Sequence, residues 1–176
     1  MFPKFEICYG SNNVDLTNRA TYKGFYGDNV YAKAFQACEA EKKVKENEII
    51  FGEIVCEGLQ KNYHYGHRTP HFVLFDVKKY NEETKEFYWL SPEEVEAYAK
   101  ERGFDMVPVL YRGVFNKQIA YELTLGDSVY CPEQKVREGV VIKSRLKYND
   151  ISMSSNKRAL KYISEVYLDK DNSDFH

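Results

Sequence analysis

Arg137-Glu138-Gly139-Val140-Val141-Ile142-Lys143 is the stretch on which the reading of the whole chain turns. Val140, Val141 and Ile142 are β-branched and favour a pleated strand, and three apolar residues in a row predict burial on both faces. Glu138 stands where that strand begins, and a carboxylate there is costly to desolvate unless it meets a cation or a metal ion. Gly139 beside it permits a bulge or the close approach of a ligand. Glu138 and Lys143 are an odd number of residues apart, so a regular strand sends them to opposite faces. Both serve one site only if Gly139 makes a bulge. Taken alone, the stretch is a core strand with charged ends.

The chain around it has 176 residues, enough for one domain with a real core. Its formal net charge of -2 argues against a protein that coats nucleic acid with its whole surface; any such contact uses a local patch. No apolar run approaches the ~20 residues of a membrane span, and Met1 to Ile7 has no signal-peptide pattern. Cys8, Cys38, Cys56 and Cys131 are scattered, which suits free thiols in a reducing cytoplasm better than a disulfide frame. Fifteen tyrosines point to a thick core or a stacking surface.

Outward from the opening stretch, periodicity and turn chemistry set the elements. Phe5 to Tyr9 reads as a strand and Gly10 to Asn13 as a turn. Asp28 is a plausible N-cap for a helix through Tyr31, Phe35 and Cys38 to about Lys45, with Ala32, Phe35 and Gln36 inward. Ile49 to Cys56 is a strand that puts Ile49, Phe51, Glu53 and Val55 on one face, so Glu53 is an acid among apolar side chains. His71 to Val77 is apolar on both faces and reads as a central strand, with Phe75 and Asp76 on opposite sides; Phe87 to Leu90 is its hairpin partner. Ser91-Pro92-Glu93-Glu94 carries a capping box for a helix ending near Arg102, with Gly103 as the stop. Val107 to Val114 is a strand interrupted by Pro108, Asn116 to Leu125 a short helix, and Val140 to Leu146 the opening strand. In the tail, Leu160, Ile163 and Tyr167 have helical spacing, and residues from Asp169 are polar and expected to fray. Strands and helices mix without strict βαβ alternation, which predicts an α+β fold of mainly antiparallel sheets with flanking helices.

Composition leaves the chemistry open. His64, His67 and His71 are close in sequence, as metal ligands or as solvated loop histidines. Gly10-Ser11-Asn12-Asn13 is a turn or a phosphate cradle without the spacing of a P-loop. Lys157, Arg158 and Lys161, with Lys143, Arg145 and Lys147, form a basic cluster or a solvated face.

The order of separate features narrows this. Phe51-Gly52-Glu53-Ile54-Val55 is followed by Gly58-Leu59-Gln60-Lys61-Asn62, then Phe72-Val73-Leu74-Phe75-Asp76-Val77, Glu138-Gly139-Val140-Val141-Ile142-Lys143 and Leu160-Lys161. Over about residues 8 to 168 this order resembles the covalent nucleotidyltransferases, specifically the phage-type RNA ligases that seal nicks in duplex RNA. The resemblance implies an ATP-grasp-like ligase domain that attaches AMP from ATP to a lysine, passes it to an RNA 5′-phosphate, and expels AMP as the strands join. It implies ATP or AMP and Mg²⁺ as cofactors. It further implies Phe75 stacked on adenine, Glu53 at the ribose, Asn12 near the nucleotide, Lys161 and Lys143 on the α-phosphate, and Glu138 at the metal.

Two departures accompany the resemblance. The family's Lys-x-Asp/His-Gly tetrapeptide is missing from the 176 residues, and Ala159 stands where the first of a pair of lysines is expected, leaving Lys161 as the second. The expectation is a single domain over residues 1–168, N-terminally incomplete, with a tail at 169–176, whose partners are RNA ends and, where the lysine comes from another chain, the polypeptide that supplies it. A short strand ending near Lys161, then a helix, follows from the same resemblance. A non-catalytic domain that binds nucleotide or RNA ends, and an interaction module using the loop at Tyr63–Tyr65, stand as the other readings.

Overall fold

The computed structural model describes residues 7–11, 14–16, 29–59, 65–145 and 159–173, so Asn12, Asp28, His64, Lys157 and Arg158 lie outside the described residues. The chain divides into two compact units, residues 1–63 with 67–106, and residues 64–66 with 107–176. The fold is α+β with antiparallel sheets, as the sequence predicts.

The first unit opens with a two-residue ladder, β1 (Gly10–Ser11) against β2 (Val14–Asp15), closed by the Leu16 N–H donating to the Tyr9 carbonyl at 2.9 Å. Residues 7–9 are not a strand; the pairing begins one residue later, where the chain turns back on itself. The main sheet has the order β3 (Glu48–Val55), β4 (His71–Asn81), β5 (Glu86–Trp89), all antiparallel, with β4 central.

The expected single helix to Lys45 is two: α1 (Val30–Ala37) and α2 (Ala40–Lys43), separated by Glu39 in the left-handed region at φ 54°. Asn29 is the N-cap, its Oδ1 accepting from the Ala32 N–H at 2.9 Å. Tertiary anchors set the break. Arg102 Nη1 donates to the Lys43 carbonyl at 2.6 Å, and Lys43 Nζ to the Gly103 carbonyl at 2.7 Å, tying α2 to the end of α3 (Pro92–Arg102). Propensity yields to such contacts. The inward face also differs, since Val30 and Ala34 are buried while Gln36 is exposed.

α3 starts as read: Ser91 Oγ accepts from the Glu94 N–H, Glu94 Oε2 accepts from the Ser91 N–H at 2.7 Å, and Gly103 caps the end at φ 66°. Val95, Tyr98 and Ala99 from this helix pack with Ala40, Val44, Leu74, Val77 and Phe104 in one core on a single face of the sheet. At its margin the Glu48 side chain, only 6% exposed, accepts from Tyr98 Oη at 2.8 Å and from the Lys45 N–H at 3.0 Å, with Lys79 Nζ at 3.2 Å and Arg102 Nη2 at 3.6 Å. Burial pushes its carboxyl up, but these donors outweigh burial and hold it below the usual range.

Val107 to Val114 is not a strand. Met106 makes one isolated parallel bridge to Leu74, and beyond it Pro108 has no N–H to give a ladder. The second unit carries α4 (Lys117–Glu122), the two-stranded β6 (Gly139–Lys143) with β7 (Ala159–Ile163), and α5 (Glu165–Ser173). Arg137 donates from Nε and Nη2 to the Asp127 carbonyl at 3.2 and 2.8 Å and from Nη1 to that of Leu123, so it fixes the start of β6 to the end of α4. Burial of Val140 to Ile142 on both faces is corrected: Val141 is 57% exposed, because a two-stranded ribbon has fewer layers to bury it than a central strand. The tail is a strand through Ile163 and then a helix reaching Ser173. Among the described residues no helix is long and apolar enough to cross a membrane.

Candidate functional site

On β3 and β4 the decisive feature is a register shift. Phe51 pairs with Asp76 and Gly52 with Leu74, so Phe75 is an extra residue on β4. The bulge explains how Leu74 and Val77, three residues apart, both reach the same core. It also overturns the expected opposition of Phe75 and Asp76. Cross-strand partners share a face, so Asp76 lies with Phe51, and Val73 lies with Glu53. Phe75 follows Val73 by two residues, which brings Glu53, Phe75 and Asp76 to one face of the sheet. Gly52 is required opposite the shift, because a Cβ there would come within 2.5 Å of the Val73 carbonyl oxygen and into the Phe72 ring.

The face expected for β3 (Ile49, Phe51, Glu53, Val55) is the one found, since the extra residue is on the other strand. Glu53 is exposed, so its placement among apolar side chains carries no desolvation cost. Asp76 is buried and Phe75 half-buried. Two facing groups of opposite hydrogen-bonding and stacking character are thereby set side by side.

At the start of that strand pair, His71 Nε2 lies 2.6 Å from Asp105 Oδ2, and the His67 and His71 rings stack at 4.1 Å. Burial, then the neighbouring His71, holds the His67 imidazole below its ordinary value. No group of three or more metal-ligating side chains occurs among the described residues.

In the second unit the β6–β7 register is unshifted, with Gly139 opposite Ile163, Val141 opposite Lys161 and Lys143 opposite Ala159. The bulge that Gly139 permits is therefore absent. Its place is taken by a backbone at φ 155°, which a side chain rarely adopts, and a Cβ at Gly139 would also lie 2.9 Å from Ile163 Cα and against the Tyr162 carbonyl. That rotation reverses the alternation for one residue. Glu138, which regular pleating would send to the other side, forms an ion pair with Lys161. Its carbonyl still accepts from the Ser164 N–H at 2.8 Å, so the ladder is not lost.

Lys143 shares the Val141 and Lys161 face by register, so the structure brings Glu138, Lys143 and Lys161 to one side of the ribbon. Burial pushes the Lys143 ammonium below its ordinary value. The Glu138 and Lys161 side chains are both about half exposed, and such a pair contributes little to stability, about 0–1 kcal/mol. A glycine-enforced backbone that delivers a carboxylate to an amine is a geometry suited to charge handling. Glu138 is a carboxylate of the kind through which magnesium binds, completing its shell with water and phosphate oxygens; the ion would have to compete with Lys161 for it and bring phosphate charge to offset the nearby amines.

Two features escaped the sequence reading. Asp76 joins Glu53 and Phe75, and the signal was the apolar spacing of Leu74 and Val77, which breaks strict alternation. The aromatic pairs of β4 and β5 were read only as a hairpin.

The RNA ligase family profile matches residues 4–163. Among solved structures, Naegleria gruberi RNA ligase with PPi matches at 23% identity and TM-score 0.62, over 82% of this chain and 41% of that one. An arginine-to-alanine variant of Naegleria gruberi RNA ligase with ATP and Mn matches at 24% identity and TM-score 0.63, over 82% and 41%. A lysine-to-methionine variant with AMP and Mn matches at 24% identity and TM-score 0.62, over 81% and 40%. These likenesses concern the fold, and the chain spans about two fifths of the length of those enzymes. No curated protein sequence matches the chain.

Proposed function

The chain belongs to the RNA ligase family, and on that premise we propose that it binds ATP and AMP and serves adenylyl transfer in the sealing of RNA ends, of the phage-type kind that closes nicks in duplexes. What carries the reading is the Glu138–Lys161 pair, which sits beside the tight backbone position that only Gly139 fits. Lys161 and Lys143 neutralise charge that grows on the α-phosphate, where fixed cations act most strongly because they need no reorganisation. Glu138 would hold Mg²⁺, which when bound would polarise the phosphate oxygens. In the first unit Phe75 stacks on adenine and Glu53 accepts from the ribose hydroxyls. Asp76 is a positioning residue beside them. Asn12, outside the described residues, is assigned a nucleotide contact from the family pattern alone.

The attacking lysine is the missing part. The 176 residues hold no Lys-x-Asp/His-Gly, and neither Lys143 nor Lys161 stands in that sequence context. We therefore read the adenylylated lysine as supplied from outside them, by a further segment or another polypeptide, in the cytoplasm. Adenylyl transfer then displaces pyrophosphate from ATP, and the RNA 5′-phosphate later takes AMP from the lysine. Incubation with α-labelled ATP and Mg²⁺ tests this: reversible nucleotide binding without label is expected, and label on the chain that survives denaturation overturns the missing-lysine reading. A domain that binds nucleotide or RNA ends without catalysis is the second reading, favoured by that same absence. Ligation restored by adding a lysine-bearing segment separates the two.

A further inference from the structure

The face that carries Glu53, Phe75 and Asp76 does not end there. Along β4 and β5 the register pairs Lys78 with Trp89 and Tyr80 with Phe87, and Ile49 of β3 faces Lys78. All lie on the side away from the core, because the bulge has already placed Val77 and, with it, Lys79 on the core side; Lys79 Nζ sits 5.3 Å from the Tyr98 ring centroid. The result is an aromatic row with one ammonium in it. Trp89 is enclosed, with Phe51 at 4.9 Å between centroids and Lys78 Nζ 4.4 Å above its ring. Phe87 is not enclosed. It is 43% exposed and braced edge-on by Tyr80 at 5.2 Å, and Ile49 beyond Lys78 is 39% exposed.

Each part has a bland meaning, since exposed aromatics occur singly on many hairpins. Their combination on one face is less bland. The Tyr80–Phe87 cross-strand pair and the lysine over Trp89 each stabilise the hairpin modestly, yet together they leave the Phe87 ring open to solvent on the same face as a held ammonium. A braced, solvent-facing ring next to a fixed cation matches an unpaired nucleobase with its phosphate: the ring stacks on the base, and the ammonium meets the backbone. Sheet faces bearing aromatics read single-stranded RNA in this manner. Consecutive same-face positions on the strand are about 6.7 Å apart, so Lys78 and Tyr80 can engage neighbouring groups of one strand.

We propose that Phe87, braced by Tyr80, and Lys78, held by Trp89, form a binding surface for an unpaired RNA strand, distinct from the nucleotide contacts of Glu53 and Phe75. The choice of RNA rests on the RNA ligase reading; the stacking surface itself does not. An apolar peptide is the competing occupant.

Trp89 is the single tryptophan of the chain and touches Lys78, so it reports on the surface directly. Titration of the whole chain with a fluorescein-labelled single-stranded RNA decamer, read by anisotropy and by tryptophan emission, supplies the test. Binding with a change in emission is expected. Phe87→Ala weakens it about tenfold, the loss of one stacked base, while Phe87→Tyr retains it. Lys78→Gln lowers the slope of log affinity against log salt by about 0.7, one phosphate contact on a single strand. Phe87 is exposed enough that the alanine variant folds, and its unchanged thermal midpoint is the control. Equal affinity for Phe87→Ala and the parent, or RNA binding that leaves the emission untouched, overturns the proposal, as does absence of RNA binding. AMP binding measured beside it keeps the two readings apart: AMP retained with no effect at Phe87 sinks this surface alone, and AMP lost with Phe87-dependent RNA binding sinks only the nucleotide assignment.

Discussion

Gly139 shows how much one residue decides. Its φ of 155° and the Tyr162 carbonyl behind it leave no room for a side chain, so Gly139→Ala strains the backbone and displaces β7. The substitution is expected to cost more than the ~1 kcal/mol of an ordinary incompatible glycine replacement, read as a fall in the urea midpoint at unchanged slope. Glu48 makes a second prediction. Its carboxyl lies below the ordinary value when folded, so its contribution is present above the unfolded carboxylate value and is lost as pH falls through the lower folded one. Glu48→Gln should therefore flatten the acid limb of a stability–pH profile and cost on the order of 3 kcal/mol at neutral pH, because Lys79 and Arg102 lose a buried partner. An acid limb as steep as the parent's would show that other carboxylates carry it.

At the scale of elements, capping chemistry was legible and register was not. Ser91-Pro92-Glu93-Glu94 announces the start of α3 because the interaction is local, between residues three apart. Ser91→Ala is expected to remove about 1 kcal/mol, measured by thermal denaturation. The strands of the main sheet were equally legible from β-branched and aromatic runs. The extra residue at Phe75 was not, since a bulge depends on which residues of another strand lie opposite. The same reason hid the break at Glu39, which is imposed by α3 through Arg102 and Gly103. Val107 to Val114 had the composition of a strand but pairs with no strand among the described residues, and Pro108 withheld a donor. Of the candidate site, residue types and their order were readable; which face each side chain takes was a tertiary fact.

Across the whole molecule, the family match covers nearly the full chain, yet the chain spans about two fifths of the solved ligases it resembles. Under the proposed function, the first unit by itself presents an aromatic ring and carboxylates of a kind that suits a nucleoside, and the second by itself presents amines and a carboxylate of a kind that suits phosphate. Loss of Glu138 and loss of Lys161 should then act alike, each lowering ATP affinity in the presence of Mg²⁺ far more than AMP affinity in its absence. The central claim, that these residues make a nucleotide site, is tested most directly by calorimetric titration of AMP into the parent chain and Phe75→Ala. Saturable binding by the parent is expected, weakened about tenfold by the loss of the stacked ring. No binding by the parent, or binding that Phe75→Ala leaves unchanged, would contradict it.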